Sequence, residues 1–399
     1  MIEPAGVRPP STESRALQDL PAYPFATLER RAAERRRAGE VLYPFHLGDP
    51  DLPPPKSVLR VAARAVRDLG NCRYSTSRGE PELRESIARW MQLRFGVRVD
   101  PETEVAVLLG SKEGLAALPR AVVDPGEVVA VPDPGYPAYG AAAGLVGARI
   151  VRLPLESGRG WLPAWDRLAV EPRLVYLNYP NNPTGAAIDR AALREAVDRA
   201  RDGGWTLAYD NAYSEITFGP TPAPSLLEIP GGREVGVEFH SLSKTFGVPG
   251  WRIGFAVGRP SVIAALVKLK AQSDSGAPLP LQRAASAALG LYRGRERPAE
   301  IEASVREYGR RLTKLSAALE SAGAPAPVPA GGLYLWQRVA RGIGTAFADR
   351  LLASSGILVT PGAAFGPAGD RYIRWAVTRP MEEIDAVVGL LERSPEIAR

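Results

Sequence analysis

Residues 241–254 hold one lysine among hydroxyl side chains, directly after an apolar run, and one arginine follows a few residues later. A lysine amine can form a Schiff base with an aldehyde, while the hydroxyls of Ser241 and Ser243 can donate hydrogen bonds to phosphate oxygens. The planar guanidinium of Arg252 can hold a phosphate through two parallel hydrogen bonds. Lys244 in this setting indicates a site for a phosphorylated aldehyde, and the cofactor that it suggests is pyridoxal 5′-phosphate.

Lysine is scarce in this chain, which sharpens the interpretation of Lys244. Only six of the 50 basic residues are lysines, so arginine fills most positions that need positive charge alone. A guanidinium cannot replace an amine here, because only lysine can lose its proton and attack a carbonyl. The alternative, a solvated surface lysine, stays open on this segment alone.

Two polar motifs follow strand-like runs upstream. Asp210 ends the run at 205–209, where parallel sheets carry their ligands, and its carboxylate could pair with a protonated pyridine nitrogen. Tyr213 could reach the ring hydroxyl of the same cofactor. Asn182 lies in a loop that two prolines make rigid, and its amide could donate to the ring oxygen. A helix cap at Asp210 and an ordinary turn at Asn182 are the alternatives.

A third motif, Gly-Ser-Lys-Glu-Gly at 110–114, lies between a strand-like run and a helical pattern. A glycine turn that opens a helix presents unpaired backbone N–H groups to a phosphate, and Ser111 and Lys112 are the expected contacts. The motif is neither a dinucleotide fingerprint nor a P-loop.

In these motifs the chain resembles the class I and II pyridoxal-phosphate aminotransferases of fold type I, over most of its length. The resemblance implies an α/β fold with a large domain, whose mostly parallel sheet is of the seven-stranded type and lies between helices, plus a smaller α/β domain. The expected division is residues 57–290 for the large domain, and residues 1–56 with 291–399 for the small one.

The resemblance also implies roles for individual residues. Lys244 would carry the cofactor, Asp210 would bind the pyridine nitrogen, Tyr213 and Asn182 the ring oxygen, and Tyr136 would stack on the ring. Arg374 would bind the substrate α-carboxylate, assisted by the backbone at Gly48. The residues implied in phosphate binding are Ser111, Lys112, Ser241, Ser243 and Arg252, joined by Tyr74 from a second subunit of a homodimer.

Within the family the chain is most similar to the LL-diaminopimelate aminotransferases of lysine biosynthesis, in which Tyr23 would approach the substrate. His46 and Gln272 depart from that subgroup, where a glycine and an asparagine are expected, so the donor and acceptor stay open. Glutamate is the expected donor in a ping-pong transamination. The alternatives are an aminotransferase for N-succinyl-diaminopimelate, alanine, aspartate or aromatic substrates, and a fold-type I lyase or decarboxylase.

The pattern along the chain agrees with a parallel sheet. Seven strand-like runs alternate with helical patterns, and Leu83, Ile87, Trp90 and Met91 predict one apolar face of a helix that Pro81 opens. Alternation around Arg374 predicts a strand with Tyr372, Arg374 and Ala376 on one face. The predicted strands are the runs at 105–109, 128–131, 149–153, 174–177, 206–209, 235–239 and 253–257.

Composition excludes several kinds of site and several classes of protein. Two histidines cannot form a three-histidine zinc site, and no metal is expected; one cysteine, Cys72, cannot form an internal disulfide. No apolar run is long enough to span a membrane, and without a signal-like segment we expect a cytoplasmic protein. The net charge of +6 permits nucleic-acid binding, but the basic run at 30–37 is interleaved with glutamates and is typical of a solvated helix, so no nucleic-acid partner is expected.

Overall fold

The computed structural model describes residues 12–219 and 221–398. Residues 1–11 and Arg399, which the sequence assigns to the small domain, and Pro220, which it assigns to the large one, lie outside the described residues. The division into two domains at these boundaries stays a prediction.

The described ranges form both helices and strands, in the alternating order expected of an α/β protein. The strands are β1 Tyr43–Pro44, β2 Val105–Leu108, β3 Val128–Asp133, β4 Arg149–Glu156, β5 Leu162–Pro163, β6 Leu174–Asn178, β7 Thr206–Asp210, β8 Gly236–Ser241, β9 Gly254–Gly258, β10 Tyr334–Arg338, β11 Ile357–Leu358, β12 Thr360–Pro361 and β13 Tyr372–Ala376. The α-helices are α1 Arg15–Gln18, α2 Pro24–Arg37, α3 Lys56–Arg67, α4 Pro81–Phe95, α5 Ser111–Val122, α6 Ala138–Leu145, α7 Arg190–Gly203, α8 Gly232–Val235, α9 Leu242–Thr245, α10 Pro260–Lys270, α11 Leu279–Leu289, α12 Ala299–Ser321, α13 Gly344–Ser355 and α14 Met381–Arg393.

The central sheet has the strand order β2-β9-β8-β7-β6-β3-β4-β5. Strands β3, β4, β6, β7 and β8 pair in parallel, whereas β9 runs antiparallel to both of its neighbours and β5 is a two-residue antiparallel edge. The predicted fold class, a mostly parallel sheet between helices, is confirmed. The short β5 adds one strand to the expected seven.

All seven runs predicted as strands form strands of this sheet. Most are buried along their length, as in a strand covered on both faces, whereas Arg149, Ile150 and Arg152 of β4 are exposed. The run at 235–239 starts one residue later than predicted, since Val235 still belongs to α8. The predicted apolar face of α4 is also confirmed: Leu83, Ile87, Trp90 and Met91 are all buried.

A second, antiparallel sheet follows the central one along the chain, with the order β10-β13-β12. Its core includes Leu335, Ile373 and Trp375 together with apolar residues of α12, α13 and α14. The same apolar cluster includes Tyr213, which follows β7 of the central sheet. This shared packing fixes β10 and β13 against the end of β7, where the predicted site residues lie. No helix within the described ranges is long and apolar enough to cross a membrane.

Candidate functional site

A cavity of about 570 Å³ lies at the carboxyl ends of the central parallel strands. The strand register places Asn178, at the end of β6, beside Asp210, at the end of β7, and Asp210 beside Phe239 of β8. Ligands of open α/β sheets bind at this edge. Of the fourteen residues predicted for the site, thirteen line the cavity: Tyr23, Gly48, Ser111, Lys112, Tyr136, Asn182, Asp210, Tyr213, Ser241, Ser243, Lys244, Arg252 and Arg374.

Asp210 is a buried carboxylate with few protein donors. Its Oδ2 accepts a hydrogen bond from the Tyr139 hydroxyl at 2.6 Å, and its Oδ1 accepts one from the Ala212 backbone N–H at 3.3 Å. Burial raises the pKa of Asp210 to about 6, although both hydrogen bonds and the charges of His240 and Lys244 oppose the rise. A cationic N–H group bound in the cavity would therefore stabilise the negative charge of Asp210, which the protein's own donors offset only in part.

Tyr139, the donor to Asp210, was not among the residues predicted from the sequence. Its ring lies parallel to that of Tyr176, with 4.6 Å between the ring centroids. The hydroxyl of Tyr176 in turn donates to the Leu115 carbonyl at 2.8 Å. Tyr136 precedes α6 and Tyr139 lies in its first turn, and the two rings meet edge to face with their centroids 5.6 Å apart, a contact that no motif indicated.

Lys244 lies on the short helix α9, directly after β8. Its Nζ donates a hydrogen bond to the Gly48 carbonyl at 2.8 Å, and the side chain is half-buried in the cavity wall. Gly48 has no room for a side chain, because a Cβ there would lie 2.0 Å from the Tyr334 hydroxyl. Gly48 thus contacts two residues of the site: its carbonyl accepts from Lys244, and its Cα packs against the Tyr334 hydroxyl.

Arg252 and the glycine turn before α5 form a cradle at one end of the cavity. Gly110 has φ +78°, and a Cβ there would lie 2.3 Å from Arg252 Nη2. Arg252 itself adopts φ +50° and donates to the Pro249 carbonyl at 2.9 Å. The guanidinium also donates to the Leu109 carbonyl at 3.4 Å, so two backbone acceptors fix its direction.

Three serine hydroxyls complete this end of the cavity. Ser111 begins α5, where backbone N–H groups point outward, and Ser241 and Ser243 flank the start of α9. Ser243 Oγ is buried and has no hydrogen-bond partner within the described ranges. A buried hydroxyl without a partner is costly, and a phosphate oxygen would satisfy it. The donor set of hydroxyls, helix N–H groups and a guanidinium fits a phosphate.

Asn182 and Tyr213 face the middle of the cavity. Asn182 is held from behind, because its backbone N–H donates to Asn178 Oδ1 at 2.8 Å. Its Oδ1 accepts a hydrogen bond from Arg374 Nη1 at 2.7 Å, so the amide Nδ2 of this cavity-lining side chain remains as a donor. The Tyr213 hydroxyl lies 2.7 Å from that of Tyr334, a residue that no motif indicated.

Arg374 occupies the middle strand of the three-stranded sheet and is only 2% exposed. Its Nη2 donates to the His46 carbonyl at 2.8 Å, while its buried Nε has no partner among the described residues. Burial lowers the pKa of Arg374, and the surrounding phenols, Tyr334 first, oppose that effect. The aromatic rings around the guanidinium lie 4.1, 4.7 and 5.3 Å from its central carbon and belong to Tyr334, Phe365 and Phe25.

Tyr23, Lys112 and Tyr136 meet at another part of the wall. Lys112 Nζ lies 4.7 Å from the Tyr23 ring centroid and 5.9 Å from that of Tyr136, distances typical of cation–π contacts. It also lies 3.4 Å from the Tyr23 hydroxyl. Lys112 thus contacts two aromatic rings, in addition to standing in the first turn of α5 as expected of a phosphate ligand.

The remaining residues singled out from the sequence lie elsewhere. Tyr74 is 87% exposed and does not line the cavity of its own chain. Gln272 is exposed just after α10, also outside the cavity lining. His46 is buried, with its Nε2 2.5 Å from Glu29 Oε1, and reaches the site only through its carbonyl. Among the described residues, no group of three or more potential metal ligands was found.

The family model for aminotransferases of class I and II matches residues 42–391. Among curated proteins, the LL-diaminopimelate aminotransferase of Dehalococcoides mccartyi is 39% identical over 383 residues, which cover 95% of this chain and 97% of that protein. The LL-diaminopimelate aminotransferase of Aquifex aeolicus is 39% identical over 377 residues, which cover 93% and 96%.

Solved structures also superpose on nearly the whole chain. Substrate-bound BacF of Bacillus subtilis superposes with a TM-score of 0.90 at 32% identity, over 96% of this chain and 98% of that one. The aspartate aminotransferase of Thermus thermophilus with maleate superposes with a TM-score of 0.89 at 28% identity, over 97% of this chain and all of that one.

Proposed function

We propose that this protein, which belongs to the aminotransferase class I and II family, moves an amino group from glutamate to the 2-oxo acid that yields LL-diaminopimelate. Membership makes the chain a pyridoxal-phosphate-dependent transaminase, with an amino acid and a 2-oxo acid as substrates. The choice of LL-diaminopimelate is supported by curated relatives of that name, which match nearly the whole chain.

The cavity wall offers a group for every part of the cofactor. Ser111, Lys112, Ser241, Ser243 and Arg252 would hold the phosphate. Asp210 would hold the pyridine nitrogen, Tyr213 and Asn182 the ring oxygen, and Tyr136 would cover a ring face. When bound, pyridoxal 5′-phosphate would supply an aldehyde that condenses with amines and a ring that withdraws electrons from the neighbouring carbon.

Lys244 is proposed as the residue that holds the aldehyde and, once released from it, as the general base. Its Nζ takes the proton from the α-carbon of the amino acid, while the Gly48 carbonyl, 2.8 Å from Nζ, orients the amine. Asp210 acts through the cofactor ring and not on the α-carbon proton itself, because its carboxylate would keep the pyridine nitrogen protonated. Its burial makes the interaction strong, since few other groups compensate its charge.

Arg374 is proposed as the clamp for the substrate α-carboxylate. Asn182 and the His46 carbonyl fix its guanidinium, and the unpartnered Nε remains for a ligand. The observation that carries the choice of substrate is the match to curated LL-diaminopimelate aminotransferases, which are 39% identical over 95% and 93% of this chain.

The working unit is proposed to be a homodimer with shared sites. Tyr74 follows a segment whose apolar side chains, Val66 and Leu69, are also largely exposed in the single chain. A second copy of the chain could cover these side chains, since large exposed apolar surfaces mark interaction sites. A second copy packed there would place Tyr74 at the phosphate end of its neighbour's cavity, as the family resemblance implies.

A panel of amino donors tests the substrate. Single-turnover spectroscopy with LL-diaminopimelate, N-succinyl-LL-diaminopimelate, glutamate, alanine, aspartate and phenylalanine should show the fastest conversion of the bound cofactor for LL-diaminopimelate and glutamate, with release of the matching 2-oxo acid. Faster conversion by a donor with a neutral far end would contradict the choice. Carbon dioxide release or elimination, without an aminated cofactor, would favour a lyase or decarboxylase instead.

A further inference from the structure

Tyr334 touches three groups that the proposed function uses, although it belongs to none of the motifs. It begins β10, lines the cavity and is 3% exposed. Its neighbours in space are distant in sequence: Tyr213 and Gly48 precede it by more than a hundred residues, and Arg374 follows on β13. Tyr334 contacts a residue proposed to bind the cofactor ring and a residue proposed to bind the substrate carboxylate, so it can fix the position of one relative to the other.

The hydroxyl of Tyr334 meets the hydroxyl of Tyr213 at 2.7 Å, and both side chains are buried. Each phenol has one proton to donate, so only one of them donates across this contact. Burial raises the pKa of Tyr213, and the proximity of Tyr334 adds to this effect. Tyr213 therefore keeps its proton at neutral pH, and its partner decides where that proton points.

The ring of Tyr334 supports Arg374. Trp336 pairs with Arg374 and Tyr334 with Ala376, so Tyr334 and Arg374 are diagonal neighbours on one face of the sheet. Such neighbours lie within reach of long and aromatic side chains. The guanidinium carbon lies 4.1 Å from the Tyr334 ring centroid, nearer than to either of the other two rings. Asn182 and His46 hold the edge of the guanidinium, and the Tyr334 ring covers its face.

Gly48 is the third residue that Tyr334 contacts. A Cβ at Gly48 would lie 2.0 Å from the Tyr334 hydroxyl, so the phenol packs directly on the backbone whose carbonyl accepts from Lys244. The position of Tyr334 is thus fixed by its strand on one side and by this glycine on the other.

We propose that Tyr334 is a positioning residue with two separable parts: its hydroxyl donates to Tyr213, so that the Tyr213 proton points at the cofactor ring oxygen, and its ring holds the plane of the Arg374 guanidinium. This inference rests on the proposed function. It makes Tyr334 the link between the carboxylate end of the substrate and the ring of the cofactor.

Two substitutions separate the parts. Tyr334→Phe keeps the ring and removes the hydroxyl, so it should weaken binding of pyridoxal 5′-phosphate to the ligand-free protein about fivefold, the usual effect of one neutral hydrogen bond, and leave KM for glutamate unchanged. Tyr334→Leu removes the ring as well, so KM for glutamate and the dissociation constant of maleate should also rise about tenfold or more. Tyr334→Met serves the second arm if the leucine variant does not fold.

Controls make the result specific. Tyr308→Phe removes another buried tyrosine hydroxyl, which contacts Asp51 outside the cavity lining, and should change neither constant. In Tyr213→Phe the added Tyr334→Phe change should have no further effect on cofactor binding, because the hydroxyl acts through Tyr213. Melting temperatures of all variants identify any general loss of stability.

The inference and the proposed function fail in different ways. If wild type shows normal cofactor absorption and turnover, and Tyr334→Phe binds the cofactor as tightly as wild type, the role of the hydroxyl is refuted. If the leucine or methionine variant keeps the KM of wild type, the role of the ring is refuted. If wild type itself binds no cofactor, the proposed function has failed.

Discussion

The Tyr139 hydroxyl donates to Asp210 Oδ2 at 2.6 Å, so the carboxylate proposed to hold the pyridine nitrogen already has a neutral donor behind it. The contact lies beneath the cavity wall, where Tyr139 stacks on Tyr176. Asp210 is therefore oriented before any ligand arrives, while burial keeps its pKa raised to about 6.

Asp210 should destabilise the cofactor-free protein as the pH rises. Its pKa is about 6 when folded and 3.8 ordinarily, so the folded state holds the proton more tightly and stability falls from pH 4 upward. The full loss is about 3 kcal/mol, roughly half of it between pH 5 and pH 8. Cofactor-free Asp210→Asn should therefore melt at a higher temperature than wild type at pH 8, with a smaller difference at pH 5. Parallel melting curves for the two proteins would show that Asp210 does not titrate in this range.

Tyr139→Phe should move that titration upward. The Tyr139 hydrogen bond stabilises the carboxylate, so its removal should raise the pKa of Asp210 further above its ordinary value, by about one pH unit. Melting temperatures of the cofactor-free variant, measured between pH 5 and pH 9, should therefore keep falling to a higher pH than those of wild type before they level off. A matched control is Tyr176→Phe, which removes a hydroxyl that donates to the Leu115 carbonyl instead. If the melting temperatures of Tyr139→Phe and wild type level off at the same pH, Tyr139 does not influence the ionisation of Asp210.

Arg374→Lys should impair every amino donor while sparing the cofactor. A lysine keeps the charge but cannot reach Asn182, the His46 carbonyl and a carboxylate at once. We expect kcat/KM to fall on the order of 100-fold for glutamate and for LL-diaminopimelate alike. The absorption of the bound cofactor should stay as in wild type. Donor kinetics within threefold of wild type, about the scatter of a surface substitution, would place the clamp at another residue.

Sequence reasoning picked out residues that line one cavity, because each belongs to a local pattern. Lys244, Asp210 and Asn182 follow apolar strands, and the parallel register brings those strand ends together. Ser111 and Arg252 belong to turns whose glycines are visible in the sequence.

The supporting residues left no such local signal. The contact between Tyr213 and Tyr334 depends on how β10 packs against the end of β7, and the approach of Tyr334 to Arg374 depends on the register of β10 and β13. His46 contributes through its backbone, which residue type does not reveal.

Shared sites can be tested by mixing two inactive variants. Lys244→Ala lacks the amine, and Tyr74→Ala lacks the side chain that is 87% exposed in the single chain. In a two-fold dimer the mixed species has one site with both defects and one site with neither. Refolding the two chains together should therefore restore about a quarter of wild-type activity, the random-mixing value for one intact site in half of the dimers. A mixture as inactive as its parts, or an active monomer in solution, would refute the shared-site dimer.

The most direct test of the central claim compares two lysine variants after addition of pyridoxal 5′-phosphate. Lys314→Ala removes a surface lysine that pairs with Asp385, and it should keep the visible absorption of the bound cofactor and the turnover of wild type. Lys244→Ala should bind the cofactor without that absorption band and lose turnover, while its melting temperature stays near that of wild type. Turnover in Lys244→Ala, or wild-type protein without the absorption band, would contradict the assignment of Lys244 as the residue on which the transamination depends.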